Sequence, residues 1–313
     1  MKKRTADLLI CPNCLPKEFI LTVNTKKEKE NDIVAGFLEC KNCKYQFQIK
    51  KGIALLIPNK YIDIDKKEYE TDKYLMSYLW AHYADLYNDP EVLDSYKIWS
   101  SYFNENCSSF LDIGCATGRL CFEMSTKCEY IIGLDRSIDF IKQARNILKT
   151  KKINFCNDIE GDIKERHSVT LPLEWKLDNI DFIVGDALAL PFPKSFFNCV
   201  SSLNIIDKVI DPLKYLEEIC RVSMFDSYFL FSDPFSWSEE FTKKEKWLGG
   251  ITSRGYDNII SLLKKGLSNK KFNNVINDKV KWKIRIHINR YEYIKSHTLL
   301  FKCIDQGRED ENK

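Results

Sequence analysis

The sequence predicts an α/β fold: an open, mainly parallel sheet with helices on its faces, preceded by a small β unit clamped by cysteines. Three observations carry this. Short apolar runs at 110–113, 130–134 and 181–184 alternate with amphipathic stretches, as in repeated strand–helix units. Each run ends in glycine or an acid, where an open parallel sheet places its ligands. Two C-x-x-C pairs, Cys11/Cys14 and Cys40/Cys43, bracket a polar segment near the start.

The organising stretch is Phe110-Leu-Asp-Ile-Gly-Cys-Ala-Thr-Gly-Arg119. It reads as strand, tight turn and helix. Gly114 and Gly118 let the backbone pass close to a ligand, with Cys115 and Ala116 in the turn between them. Seventeen residues past Gly118 the next apolar run ends in Asp135, followed by Arg136. A carboxylate at that place suits the paired hydroxyls of a ribose. The spacing is D-x-G-x-x-x-G, and Asp112 would repel the pyrophosphate that a dinucleotide fold welcomes at a helix N-terminus. S-adenosylmethionine fits instead, with a sulfonium, an amino group and a ribose but no phosphate. Gly185-Asp186-Ala187, ending the third run, offers an acceptor and a backbone N–H to an adenine edge. Three pieces in this order predict a class I, Rossmann-like, seven-stranded S-adenosylmethionine-dependent methyltransferase core.

Bulk properties narrow the field. The chain has 313 residues, room for one large and one small domain, with 44% hydrophobic and 13% aromatic content to build a core. Net charge is +3, from 48 basic and 45 acidic residues, which argues against a nucleic-acid surface. No stretch reaches the ~18 apolar residues of a membrane span, and no signal peptide is read at the start. Four of the twelve cysteines form the two pairs, and the rest lack framework spacing, so a reduced, cytoplasmic setting is expected.

The predicted organisation is a zinc ribbon over 1–60, a helical lead-in over 61–108, the methyltransferase core over 109–305, and a charged tail over 306–313. In the first unit, Cys11, Cys14, Cys40 and Cys43 can close a tetrahedral zinc site with no open position, so the metal is structural. A fragment this small needs such a staple. In the lead-in, Tyr74, Tyr78 and His82 recur at helical spacing, as do Leu75, Leu79 and Tyr83. Tyr69, His82 and Tyr83 either face the substrate or pack on the core. Asp89-Pro90 breaks the helix.

Within the core, Ser137 caps a helix to about Leu148, and the polar stretch 151–180 reads as a long loop. A fourth strand over 197–203 ends at Asn204-Ile-Ile-Asp207, making Asn204 and Asp207 site candidates. Asp211 and Pro212 start a helix. A fifth strand over 228–232 runs into Asp233-Pro-Phe-Ser-Trp237. The closing hairpin uses 275–288 and 299–303, and the tail after Asp305 frays.

Two resemblances become visible at this point. Cys11-Pro-Asn-Cys14, Cys40-Lys-Asn-Cys43 and the closing Gly52-Ile-Ala-Leu-Leu-Ile-Pro58 resemble the Trm112-like zinc-ribbon family, which implies a platform for a protein or peptide partner. Tyr69-Glu-Thr-Asp-Lys73, Tyr78-Leu-Trp-Ala-His-Tyr83, Asn204-Ile-Ile-Asp-Lys208, and Asp233-Pro-Phe-Ser-Trp-Ser-Glu-Glu-Phe-Thr242 resemble the 4-mercaptohistidine N-methyltransferase domain of the ovothiol synthases. Lys208 stands where that family usually has arginine, and Asp233 where it usually has serine. The resemblance implies N-methylation of an imidazole-type small molecule. Asn204 and Asp207 would orient the acceptor, shared between catalytic and cofactor duties in the case of Asn204. Tyr69, Tyr83, Trp237 and Arg285 would line the pocket, with Arg285 pairing a carboxylate. The alternatives are a ribosomal- or transfer-RNA base, for which the lysines between Lys26 and Lys51 would contact phosphate, and a modified peptide docked on the ribbon.

Overall fold

A computed structural model describes residues 1–62, 72–103 and 107–304. A one-turn helix α1 (Lys3–Ala6) leads into four short strands: β1 (Leu21–Lys29), β2 (Asp32–Cys40), β3 (Gln46–Lys50) and β4 (Ile53–Leu56). Helices α2 (Asp72–Tyr83) and α3 (Ser95–Ser101) follow. The core then runs β5 (Phe110–Ile113), α4 (Arg119–Glu123), β6 (Ile131–Asp135), α5 (Ile138–Thr150), β7 (Lys152–Glu160), β8 (Ile163–Thr170) and β9 (Ile180–Gly185). It closes with β10 (Phe197–Leu203), α6 (Pro212–Val222), β11 (Ser223–Asp233), α7 (Gly255–Lys265), β12 (Lys271–His287) and β13 (Arg290–Ile304).

Seven core strands lie in the order β9-β6-β5-β10-β11-β13-β12, which is the class I methyltransferase order 3-2-1-4-5-7-6. The first five are parallel, and β13 runs antiparallel between β11 and β12. Every residue of β5 and β9 is buried, as expected of central parallel strands covered on both faces. Ser137 caps α5 through the N–H of Phe140, and Phe140, Ile141, Ala144 and Ile147 form its buried stripe.

The sheet does not stop at seven strands. β4 pairs antiparallel with β3 and parallel with β9, so the N-terminal strands extend the core into one eleven-stranded sheet. This covers an edge that would otherwise expose unpaired backbone groups. The stretch 151–180 is also corrected. Most of it is the antiparallel hairpin β7–β8, turning at Gly161 with φ +55°. Ile153, Phe155 and Val169 are buried, and the ring of His167 stacks between Phe155 and Tyr87. The charged residues on its outer face conceal the alternation that would have marked these strands.

Candidate active site

The C-terminal ends of β5, β6, β9 and β10 converge on one cavity of about 290 Å³. Its walls include Asp112, Gly114, Cys115, Ala116, Asp135, Arg136, Asp186, Ala187 and Asn204. These are the residues expected to meet the cofactor, apart from Gly118. Gly118 lies at the N-cap of α4 with φ +86°, and a Cβ there would stand 2.5 Å from the Phe182 ring. It shapes the turn from beneath.

The turn is built for a close ligand. Gly114 has φ +74°, and a Cβ would lie 2.3 Å from Ile205 Cδ1. The Asp135 carboxylate accepts the Ala116 N–H at 2.9 Å and the Ser137 N–H at 2.8 Å, so strand end and turn are locked together. Burial pushes its pKa up, partly offset by these N–H donors. Asp112 accepts the Ser201 hydroxyl at 2.7 Å. Burial pushes its carboxyl up to about 7, with the nearby Asp135 charge adding to the rise. Asp186 accepts the Leu188 N–H at 2.9 Å and pairs with the Arg136 guanidinium. Two carboxylates beside a bare glycine turn match an ammonium and a ribose, so the residues present fit S-adenosylmethionine.

The other side of the cavity is aromatic. Tyr78 packs against His82, Phe140 and Trp282, with ring centroids 5.7, 5.0 and 5.9 Å away. His82 Nε2 meets the Tyr96 hydroxyl at 2.7 Å, and Nδ1 meets the Thr117 hydroxyl at 2.8 Å. Burial, helped by the Arg119 charge, lowers the His82 pKa to about 3, so this ring is neutral. Lys208 also lines the cavity.

The residues expected to act on the acceptor are only partly gathered here. Asn204 lines the cavity in a left-handed conformation (φ 59°), its Oδ1 accepting from Ser296 at 2.6 Å. Asp207 is fully buried behind it, accepting the Ser236 N–H at 2.9 Å; burial and the Asp207 charge push the carboxyl of Asp233 well up. Tyr83 sits behind the glycine turn, its hydroxyl donating to the Thr117 carbonyl at 2.7 Å. Trp237 stacks on Trp247, 6.1 Å between centroids, away from the cavity wall. Arg285 lies near Asp89 (3.8 Å) and Glu165 (3.5 Å) and borders a separate cavity of about 50 Å³. Trp282 and Arg285 are three apart on β12, and the alternation of a strand turns them to opposite faces. Tyr69 lies outside the described residues.

Sequence reasoning missed Tyr96, Phe140 and Trp282 as cavity walls. Phe140 stood on the apolar face of α5, and Tyr78 in the same helical stripe as His82. Nothing local marked Trp282, which reaches the cavity through the closing hairpin.

The four knuckle cysteines gather as expected. Their sulfurs lie within 4.8 Å of one another, with Cys11–Cys43 at 3.6 Å and Cys14–Cys40 at 3.8 Å. A tetrahedron of ~2.3 Å Zn–S bonds needs edges of about 3.8 Å. Asn42 Nδ2 lies 3.4 Å from the Cys14 sulfur, a donor suited to a thiolate. The set fits a structural zinc ion.

Comparison with known proteins agrees with the geometry. Residues 111–231 match the methyltransferase domain family. Norajmaline N-methyltransferase of Rauvolfia serpentina is 24% identical over 145 residues, 45% of this chain and 36% of that enzyme. The chain therefore spans about a third of the curated relative's length. Similar solved structures include an S-adenosylmethionine-dependent methyltransferase from Methanosarcina mazei (17% identity, TM-score 0.47, 68% of this chain and 99% of that one). Another is the complex between the Haloferax volcanii Trm112 methyltransferase activator and a methyltransferase (16%, TM-score 0.43, 75% and 94%). A third is Haemonchus contortus phosphoethanolamine N-methyltransferase 1 (15%, TM-score 0.45, 76% and 51%). The strand order is that of the class I methyltransferase fold, residues 111–231 carry the methyltransferase-domain match, and a small four-cysteine β unit is built onto the sheet. Among the described residues no helix is long and apolar enough to cross a membrane.

Proposed function

We propose that this chain methylates a nitrogen of a small imidazole-type molecule, of the 4-mercaptohistidine class. The carrying observation is the cavity of about 290 Å³ in which the carboxylates of Asp112 and Asp135 face an aromatic chamber of Tyr78, Tyr96, Phe140 and Trp282. Such a chamber suits a flat heterocycle and excludes water from it. The N-methyltransferase likeness and the Asn204-to-Lys208 and Asp233-to-Thr242 motifs support the same reading.

S-adenosylmethionine, when bound, supplies a sulfonium methyl with a neutral thioether as leaving group. The chain's own residues then have little proton work to do. A neutral imidazole presents a lone pair near pH 7, and the proton freed from the product passes to solvent. Alignment is the main contribution. Asp135 holds the ribose, Asp112 the cofactor ammonium, and Asp186 with Ala187 the adenine. Asn204, fixed by Ser296, orients the acceptor, and Asp207 fixes the loop that carries it. Lys208, at the cavity wall, takes the carboxylate that Arg285 was expected to bind. The four cysteines hold zinc in a Trm112-like ribbon, and the need for reduced thiolates favours a cytoplasmic setting.

The test is a transfer assay with zinc-replete protein, offering 4-mercaptohistidine, bulk RNA and a peptide mixture in parallel. A product one CH₂ heavier from the mercaptohistidine alone supports the reading. Transfer to RNA or peptide in its place refutes it.

A further inference from the structure

The cysteine knuckle and the cavity are joined by hydrogen bonds and an ion pair linked through two short stretches of chain. Asn13, between the ligands Cys11 and Cys14, accepts the backbone N–H of Asn59 on its Oδ1 at 2.9 Å. Asn59 opens the turn Asn59–Tyr61, and the Tyr61 carbonyl accepts from the Arg136 guanidinium. The other arm of Arg136 pairs with Asp186. The same segment also forms wall. Leu56 pairs with Gly185 in the sheet, and Ile57 and Ile62 line the cavity.

We propose that Asn13 is a positioning residue for S-adenosylmethionine, acting from the cysteine knuckle through Asn59, Tyr61 and Arg136 on the adenine side of the cavity. This rests on the reading of the cavity as the cofactor site. Arg136 is the joint between this segment and the cavity. Two arms of its guanidinium are engaged, one by the Tyr61 carbonyl and one by the Asp186 carboxylate. Held at both ends, its plane is fixed beside the base, where it can cover a π face. The Tyr61 carbonyl that holds it belongs to a three-residue turn. That turn is closed by the Tyr61 N–H on the Pro58 carbonyl at 2.9 Å, and Asn13 ties its first residue to the knuckle. With Cys11 and Cys14 bound to metal, Asn13 becomes a fixed anchor.

The test is calorimetric titration with S-adenosylmethionine, with zinc content measured on each sample. Asn13→Ala removes the acceptor but leaves all four cysteines. It should retain zinc and bind the cofactor about fivefold to tenfold more weakly, as expected for one lost ordering hydrogen bond. Asn13→Asp keeps the acceptor and should restore affinity. Should Asn13→Ala lose zinc, Asn59→Pro is the decisive variant. It deletes the donor at the first position of the turn, where proline is compatible, and Pro58 already has the extended ψ of 146° that a following proline requires. Weakened binding with full zinc in either variant supports the relay. Wild-type affinity in Asn13→Ala with full zinc, or in Asn59→Pro, overturns it while leaving the cofactor reading intact. A wild-type chain that binds no S-adenosylmethionine overturns both.

Discussion

The carboxylate of Asp135 reaches back across 19 residues to accept the N–H of Ala116 at 2.9 Å. This contact binds the end of the second core strand to the turn after the first. It locks the two motifs into one unit, so the parts proposed to hold the ribose and methionine ends of a ligand cannot move independently.

Asp112 sets a pH dependence. Its folded pKa is raised to about 7, from an ordinary 3.8, by burial first. A raised carboxyl contributes stability that is full below its unfolded pKa and is lost as pH rises through the folded one. Ligand-free protein should therefore lose stability between about pH 4 and pH 7. Cofactor affinity should move oppositely, tightening as the carboxylate forms to meet the ammonium. In Asp112→Asn both slopes should flatten. Thermal melts and titrations across that window check this, and slopes unchanged in the variant would remove Asp112 from the account.

Gly114→Ala should damage both fold and site. The left-handed backbone costs an alanine about 1–2 kcal/mol, and its methyl would meet Ile205. Urea unfolding should show a loss of that order, with weaker cofactor binding. Full stability and affinity together would mean the turn has room the geometry denies it.

Tyr96→Phe deletes the hydroxyl that partners His82 Nε2. A buried ring nitrogen left without a partner costs about 1–3 kcal/mol. The variant should be destabilised by that amount and should show a raised acceptor KM. Because His82 stays neutral down to a pKa of about 3, no histidine step from it should appear in the activity profile near neutrality. A stable variant with an unchanged acceptor KM would argue that the aromatic wall is only packing.

Much of the site was readable because its signals are local. A glycine turn after an apolar strand, an acid at the end of the next strand, and paired cysteines each declare themselves within a few residues. The double pairing of β4 could not be read, since Ile53–Leu56 looks the same whether it ends a ribbon or extends a sheet. Trp282 and Tyr96 reach the cavity by tertiary packing alone. Arg285 was expected at the wall from the family resemblance, and the parity of its strand sends it elsewhere. The hairpin over β7 and β8 was hidden because much of β7 and most of β8 face water and carry polar or charged side chains.

Metal removal should be felt throughout the sheet. Stripping the four-cysteine site frees the segment that carries β4, and the edge of β9 loses its partner. A chelator should lower the melting temperature and increase light scattering on heating. Unchanged melting with zinc measurably gone would show that the β unit holds without it.

The most direct test of the central claim is calorimetric titration of S-adenosylmethionine into zinc-replete wild-type protein and Asp135→Ala. One-site binding to the wild type is expected, with affinity lower by roughly tenfold to a hundredfold in the variant, the range of charge-assisted hydrogen bonds to a ribose. Absent binding in the wild type, or equal affinity in the two, would contradict it.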